Sequence, residues 1–354
     1  MSYEIVKYRA EFKEEAVQLQ THLWSSDFAL NAAYLGWKHE RNPYVAEPLI
    51  YLALSKGQLV GMRAMFGAQW QVGGAGQTLV GLCAGDLVIA PEHRSQGVFP
   101  RIMQFACDDL LNRGYTYMFN LSAGSITYLS SLATGWRGIG SLKPVRWTGA
   151  HRRPEGPDVC RNFDCLDTHA GRCVGSPVVV EATPRPQAMA ELIGRIGDDG
   201  RLRHVRDEQY FGWRFGNPRS TYRFLYWGLG RLEGYLVLRR PVDAARARRG
   251  SITIVDWEAA TTAVRAGLLQ AATEWGNFHR LTVWSATLPG DVKEVLRDYG
   301  FTPVETRGVM AASRPTMLVR PLRKELLQGE WSWGGRRLLD LANWDLRMIY
   351  SDGA

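Results

Sequence analysis

Gly85-Asp86-Leu87-Val88-Ile89-Ala90-Pro91-Glu92-His93-Arg94-Ser95-Gln96-Gly97-Val98-Phe99-Pro100 reads as a strand that turns tightly into a helix. Leu87, Val88 and Ile89 are strand formers, Pro91 halts the strand, and Gly97 permits a sharp backbone turn. Pro100 fits the first turn of a helix, and behind it Ile102, Met103, Ala106 and Leu110 recur at three- and four-residue spacing. The backbone amides of residues 94–99 therefore converge on a helix N-terminus, where unpaired donors and the helix dipole favour a phosphate or pyrophosphate. The stretch contains neither the Gly-Lys-Ser/Thr of a P-loop nor a GxGxxG opening a helix.

Around this stretch the chain alternates helices and strands. A first amphipathic helix is expected over 11–24, with Phe12, Ala16, Leu19 and Leu23 on one face. Strands follow near 49–54 and 58–66, and a Gly-rich hairpin at 73–76 leads into the strand 78–89. A further strand is expected at 115–121, then a short helix carrying Ile126, Leu129, Leu132 and Ala133 and ending at Gly135-Trp136. The same order recurs. Tyr34-Leu35-Gly36-Trp37-Lys38 with Asn42-Pro43 is echoed by Tyr210-Phe211-Gly212-Trp213-Arg214 with Asn217-Pro218, Gly85-Asp86 by Val255-Asp256, and Gly135-Trp136 by Gly300-Phe301. Three echoes in one order read as a tandem duplication. After Asp256 the second copy has no Pro-x-x-Arg-x-x-Gly turn but keeps a helix with Val264, Leu268, Ala271 and Trp275 on one face.

The segment Ile89-Ala90-Pro91-Glu92-His93-Arg94-Ser95-Gln96-Gly97-Val98-Phe99 resembles the acetyl-CoA-binding motif of the GNAT acyltransferases, V-x-P-x-x-R/Q-x-x-G-x-G/A. Phe99 stands where the motif ends in a small residue. The resemblance implies an α/β chain with mixed α+β sheets in two tandem GNAT-like domains, the second lacking the CoA-binding motif. The expected division is an N-terminal domain over 1–150, a connector over 151–186, a degenerate second domain over 187–322, and a tail over 323–354 that packs back on one domain. The implied co-substrate is acetyl-CoA or another acyl-CoA. It would lie on Leu87, Val88 and Ile89, on the loop Arg94, Ser95, Gln96, Gly97, Val98 and Phe99, and near Asn120 and Ser125, either of which could equally cap a helix.

With 354 residues and 45% hydrophobic content the chain can bury large cores, and its length alone suggests two domains. No apolar signal core opens the sequence and no run approaches the ~18 apolar residues of a membrane span, so a cytoplasmic protein with no membrane partner is expected. The net charge of +8 suits small polyanions such as CoA or a nucleotide-sugar as well as nucleic acid. Nucleic acid is the weaker reading, because arginine gathers only at Arg239-Arg240 and Arg246-Ala247-Arg248-Arg249, in an expected hairpin loop. Cys83 and Cys107 fall on apolar faces as small core residues. Cys160, Cys165, His169 and Cys173 lie in the connector without the paired CxxC of a zinc site, so unpaired thiols and no metal are expected.

Acyl transfer from a thioester to an amine requires a polarised carbonyl, a deprotonated amine and a protonated leaving thiolate. Amides splayed near Val88 and Ile89 would serve the first, as a bulge in the GNAT strand does. Asp86, the acid on that strand, is the candidate base, with an ammonium anchor or a loop-orienting carboxylate as the equal alternative. GNAT enzymes often place a Tyr acid four residues before the closing Gly; that position is Ser131, which leaves Tyr128 as the candidate acid or a plain packing residue. His39, Glu40 and Arg41, unrepeated in the second copy, are the candidate acceptor ligands. A two-copy chain of this size is similar to the enzymes that acylate nucleotide-linked amino sugars. That resemblance implies an acyl-CoA-dependent N-acyltransferase acting on a small primary amine of this kind, as monomer or homodimer. A tandem-GNAT aminoacyl transferase of the cell-wall peptide type and a non-catalytic acyl-CoA sensor are the alternatives.

Overall fold

The structure is a computed structural model that describes residues 2–73, 76–121, 123–149, 172–173, 177–228, 230–242, 251–276, 280–304 and 315–351. In chain order the first half contains β1 (Glu4–Lys7), α1 (Lys13–Gln20), α2 (Phe28–Leu35), a π-helical turn (Gly36–Glu40), β2 (Leu49–Ser55), β3 (Gln58–Val72) and β4 (Thr78–Ile89). It continues with α3 (Val98–Asn112), β5 (Tyr117–Asn120), α4 (Ser125–Leu132), β6 (Arg137–Ser141) and β7 (Pro144–Thr148). The second half contains β8 (Arg172–Cys173), β9 (Val178–Glu181), α5 (Pro186–Ile196), β10 (Leu202–His204), α6 (Glu208–Arg214), β11 (Ser220–Trp227), β12 (Gly234–Pro241) and β13 (Ser251–Ala259). It ends with α7 (Thr262–Trp275), β14 (Arg280–Trp284), α8 (Gly290–Asp298), β15 (Thr302–Pro303) and β16 (Thr316–Pro321).

The elements form two mixed sheets of matching order. One runs β1-β2-β3-β4-β5-β16-β6, with β10 on β3; the other runs β15-β7-β14-β13-β12-β11-β9-β8. In each, three antiparallel strands lead to a parallel pair, β4 with β5 and β13 with β14. A helix crosses over within each parallel pair, α3 in one and α7 in the other. The duplication expected from the sequence is therefore present in topology. Its finer echoes hold as well. Asn42 Oδ1 accepts from Tyr44 N at 2.9 Å and Asn217 Oδ1 from Arg219 N at 3.0 Å, the same local turn in both copies. Gly135 and Gly300 end their helices at φ 85° and 79°, each delivering a buried aromatic, Trp136 or Phe301.

The expected division at 150, 186 and 322 differs from the compact units. Unit 1 is Met1–Gly140 with Leu202–His204 and Thr316–Asn343; unit 2 is Ser141–Arg201, Val205–Pro315 and Trp344–Ala354. The reason is a reciprocal exchange of strands. β7 of the first half pairs antiparallel with β14, and β16 of the second half pairs antiparallel with β5. The tail does not pack on one unit, because Leu338 is buried in unit 1 and Trp344 to Tyr350 belong to unit 2.

Unit 1 is cored by β2, whose seven residues are all buried, together with Val98, Ile102, Met103, Ala106 and Leu110 of α3. Ile102, Met103, Ala106 and Leu110 are the periodic set read from the sequence, and burying that stripe against the sheet is what stabilises the helix. β4 runs over the expected residues, and β3 extends six residues beyond its expected end at Phe66, to Val72. Trp70 fills the added length, 4.8 Å from the Phe119 ring and 4.1 Å from His204. Gly81 makes room for it, since a Cβ there would lie 2.5 Å from both Trp70 Cδ1 and Phe119 Cε2. Unit 2 has its own core, with Leu236, Leu238, Ile252 and Ile254 of the sheet beneath Leu268, Leu269 and Ala272 of α7. Cys83 and Cys107 are buried core residues, as expected. Cys160, Cys165, His169 and the arginines at 246, 248 and 249 lie outside the described residues, as do Gly74 and the side chain of Cys173. Among the described residues no helix is long and apolar enough to cross a membrane.

Candidate active site

The site is built where β4 leaves its neighbours. Met62 pairs with Val88 and Ala64 with Gly85, so Asp86 and Leu87 together oppose the single residue Arg63, a β-bulge. Asp86 takes φ 47°, a left-handed conformation uncommon outside glycine, though aspartate and asparagine adopt it more readily than other residues. On the other edge β5 follows β4 only at Leu82 and Cys83. Beyond Cys83 the strands diverge, and the edge through Leu87, Val88 and Ile89 faces no strand among the described residues. Asn120 is buried at the end of β5, where it pairs with Leu318 of β16. The side chain of Ser125 lies outside the described residues, although its backbone opens α4.

A short 3₁₀ turn at Pro91–His93 follows β4, and α3 begins at Val98. Between them Arg94, Ser95, Gln96 and Gly97 are exposed, with Ser95 at φ 60° and Gly97 at φ 73°. Gly97 is the N-cap residue that opens α3, and the unpaired amides of a helix N-terminus favour an anion. The loop is held from below. Tyr3 donates to Gln96 Oε1 at 2.7 Å and lies 3.0 Å from His93 Nδ1, Gln96 Nε2 donates to Glu92 O at 2.8 Å, and Arg94 Nε donates to Ile89 O at 3.1 Å. Val98 and Phe99 are buried in the core of unit 1. The bulk of Phe99 is therefore turned away from the loop, which explains how a phenylalanine stands where the motif has a small residue.

Asp86 is sealed. Its side chain is 0% exposed, and both oxygens are occupied: Oδ1 accepts from Trp24 Nε1 at 2.7 Å and Lys38 Nζ at 3.1 Å, while Oδ2 meets His39 Nε2 at 2.5 Å. The Lys38 ammonium also lies 5.2 Å from the ring centroids of Tyr34 and Phe66. Burial works to raise the Asp86 carboxyl, but the charge of Lys38 and the hydrogen bond from His39 outweigh it and hold it well below the usual carboxylate range. With no exposed surface and both oxygens engaged, the carboxylate fits the loop-orienting alternative better than a base reached by an acceptor amine. His39 is corrected. Its side chain is 0% exposed and committed to Asp86, so it is not presented to an acceptor. Glu40 and Arg41 remain exposed, Glu40 accepting from Tyr8 at 2.9 Å and Lys13 at 2.7 Å. Tyr128 is half-buried, with its hydroxyl against Gly138, where a Cβ would come within 2.7 Å of it.

Sequence reasoning missed Trp24, Lys38 and Tyr3. Lys38 carries the basic position of a repeated segment, a sign of structural use, but nothing local announces a lysine that is 1% exposed.

Unit 2 also carries an aspartate on its motif strand, Asp256, but paired in register with Val237, one residue beyond a bulge at Val255 rather than within it. Its oxygens accept from Arg206 Nη1 at 2.8 Å and Tyr235 at 2.7 Å. Glu258, Asp345 and Arg347 complete a buried ion network. Residues 346–348 line the cleft between Ile254, Val255, Trp257 and Val283, and Arg347 Nη1 donates to Trp257 O at 2.8 Å. This cleft corresponds to the β4 edge in unit 1, and here the chain's own C-terminal segment lines it.

Residues 8–131 match the family model described as an acetyltransferase (GNAT) domain. The first half of the chain is therefore similar to a GNAT domain. Solved structures similar to this chain include a GCN5-related N-acetyltransferase from Anabaena variabilis ATCC 29413, 15% identical, with TM-score 0.59 over 91% of this chain and 73% of that one. Another is a GCN5-related N-acetyltransferase from Kribbella flavida, 13% identical, with TM-score 0.53 over 91% and 72%. A tandem GNAT protein from the clavulanic acid biosynthesis pathway is 12% identical, with TM-score 0.54 over 91% and 99%. At these identities the likeness is one of fold, and it extends over both copies. A comparison with curated protein sequences finds no match.

Proposed function

We propose that the chain is an acyl-CoA-dependent N-acyltransferase with a single cofactor site, in unit 1. The observation that carries this reading is the pairing of the exposed amide loop at Arg94–Gly97 with a β4 edge that loses its strand partner after Cys83. The loop and the α3 N-terminus would hold the CoA diphosphate, and the edge past the bulge would hold the pantetheine and polarise the thioester carbonyl. The neutral amine nitrogen attacks that carbonyl, the tetrahedral oxyanion collapses as the C–S bond breaks, the nitrogen gives up one proton to reach the amide, and the thiolate takes up one to leave as the CoA thiol. Asn120 ends β5 and Tyr128 lies on α4, and Tyr128 is the group we assign to meet the leaving sulfur.

The acceptor is a small primary amine, with exposed Glu40 and Arg41 as its candidate contacts. A nucleotide-linked amino sugar is the acceptor class to test first, because a chain of net charge +8 suits two anionic substrates. The test is release of CoA thiol from acetyl-CoA and longer acyl-CoAs against a panel of amines that includes nucleotide-linked amino sugars. Turnover with a primary amine and none with the corresponding alcohol supports the reading. Tight CoA binding with no turnover on any pair would make the chain a CoA sensor.

A further inference from the structure

We propose that Asp86 is a positioning residue: held by Lys38, His39 and Trp24, its carboxylate fixes the β4 bulge and so sets the direction of the strand edge that an acyl thioester would meet. The first ground is geometric. Asp86 is itself one of the two residues that oppose Arg63, and it occupies a left-handed conformation that costs energy in a non-glycine residue. Such a conformation persists only where the surroundings over-determine it. Here they do so with three donors on one carboxylate, from the turn after α1, from the π-helical turn after α2, and from the residue beside it. The helical layer is thereby tied to the bulge.

The second ground is the duplication. Asp256 stands beside the bulge of the other motif strand, equally buried, and is also held by a cation, Arg206, and by a second donor, Tyr235. Unit 2 has no Pro-x-x-Arg-x-x-Gly loop, and residues 346–348 line its cleft. An anchored aspartate kept where no cofactor is held serves the sheet rather than the chemistry. The partners differ between the units, lysine and histidine in one, arginine and tyrosine in the other, while a carboxylate in or beside the bulge is common to both.

The third ground is the cost of the alternative. To take a proton from an amine, Asp86 would surrender a hydrogen bond and leave the Lys38 ammonium buried without its counter-charge. The role in turnover rests on the acyltransferase reading above; the anchoring of the bulge does not, and the test separates the two.

Two variants are compared with the unmodified chain: Asp86→Asn, and Asp86→Asn combined with Lys38→Met, which removes both charges together and guards against simple misfolding. Amide hydrogen exchange over residues 84–90 is followed without substrate, and kcat with its pH profile is followed with substrate. The expected result is faster exchange in both variants, a kcat lowered by about 10²-fold through misplacement in both, and an acidic limb that does not move. Unchanged exchange in Asp86→Asn would overturn the anchor. Loss of the acidic limb in both variants would make Asp86 the base. If the unmodified protein turns over no substrate while Asp86→Asn still exchanges faster, the acyltransferase reading fails and the anchor stands.

Discussion

The Lys38 ammonium lies 3.1 Å from Asp86 Oδ1, and the two side chains are 1% and 0% exposed. A pair buried this completely is dearer to break than to replace, since removal of one partner strands the other charge out of water. Lys38→Met is therefore expected to destabilise unit 1 by about 3–5 kcal/mol, and the double variant with Asp86→Asn by clearly less. Urea unfolding followed by tryptophan fluorescence measures both. Equal losses in the single and double variants would show that the two charges are not coupled.

The pH dependence follows from the same carboxylate. Asp86 has a folded pKa depressed below its unfolded value of about 3.9. Its contribution is present above that value and is lost as the pH falls through it toward the folded pKa. Glu258 and Asp345, whose burial is outweighed by Arg347 and Arg206, act in the same direction. Asp256, raised by its burial despite Arg206, acts in the opposite one. The denaturation midpoint is expected to fall steeply below about pH 4, and the double variant at positions 38 and 86 to fall less steeply. A midpoint flat between pH 5 and pH 3 would contradict the ion-pair account.

Gly267, in the middle of α7, gives a local test of packing. Alanine in place of a mid-helix glycine ordinarily stabilises by about 1 kcal/mol. A Cβ at Gly267, however, would run into the Trp227 ring. Gly267→Ala is expected to reverse the usual sign and destabilise by about 1–3 kcal/mol, read by thermal unfolding. A raised Tm would show that Trp227 moves aside freely.

Local chemistry made part of this molecule legible in its sequence. The strand 78–89 was bounded by turn residues on both sides, and α3 showed an unbroken apolar stripe, so both stand where the pattern placed them. The duplication was legible because Asn42 and Asn217, or Gly135 and Gly300, do the same backbone work in each copy. The exchange of β7 and β16 was not. Each is a short strand whose pairing is set by non-local hydrogen bonds, to β14 and β5, and nothing in five or six residues states which sheet they join. The partners of Asp86 were hidden for a similar reason: Lys38 looks like the polar face of a helix until the fold closes over it, and His39 beside it looks like a free ligand.

Unit 2 is expected to hold no CoA, because it has no amide loop and residues 346–348 line the cleft beside β13. Arg347→Ala removes the hydrogen bond to Trp257 O and the pairing with Asp345 and Glu258. Such a variant should be less stable by about 3–5 kcal/mol yet bind CoA with unchanged affinity per folded chain. Calorimetry on the folded fraction decides it. A fall in affinity in step with the stability would mean that the second unit takes part in cofactor binding.

The central claim is that one CoA binds per chain, on the loop at Gly97. The Gly97 Cβ position meets nothing within 4 Å, so a large side chain there would project into the open space of the loop rather than into the core. Its φ of 73° makes any side chain mildly strained, a cost of about 1–2 kcal/mol that the fold can carry. Titration calorimetry of CoA into the unmodified chain and into Gly97→Trp, each first shown to be folded by circular dichroism, is the most direct measurement. The account predicts a stoichiometry of one for the unmodified chain and no measurable binding for Gly97→Trp. A stoichiometry of two, or an affinity that Gly97→Trp leaves unchanged, would contradict it.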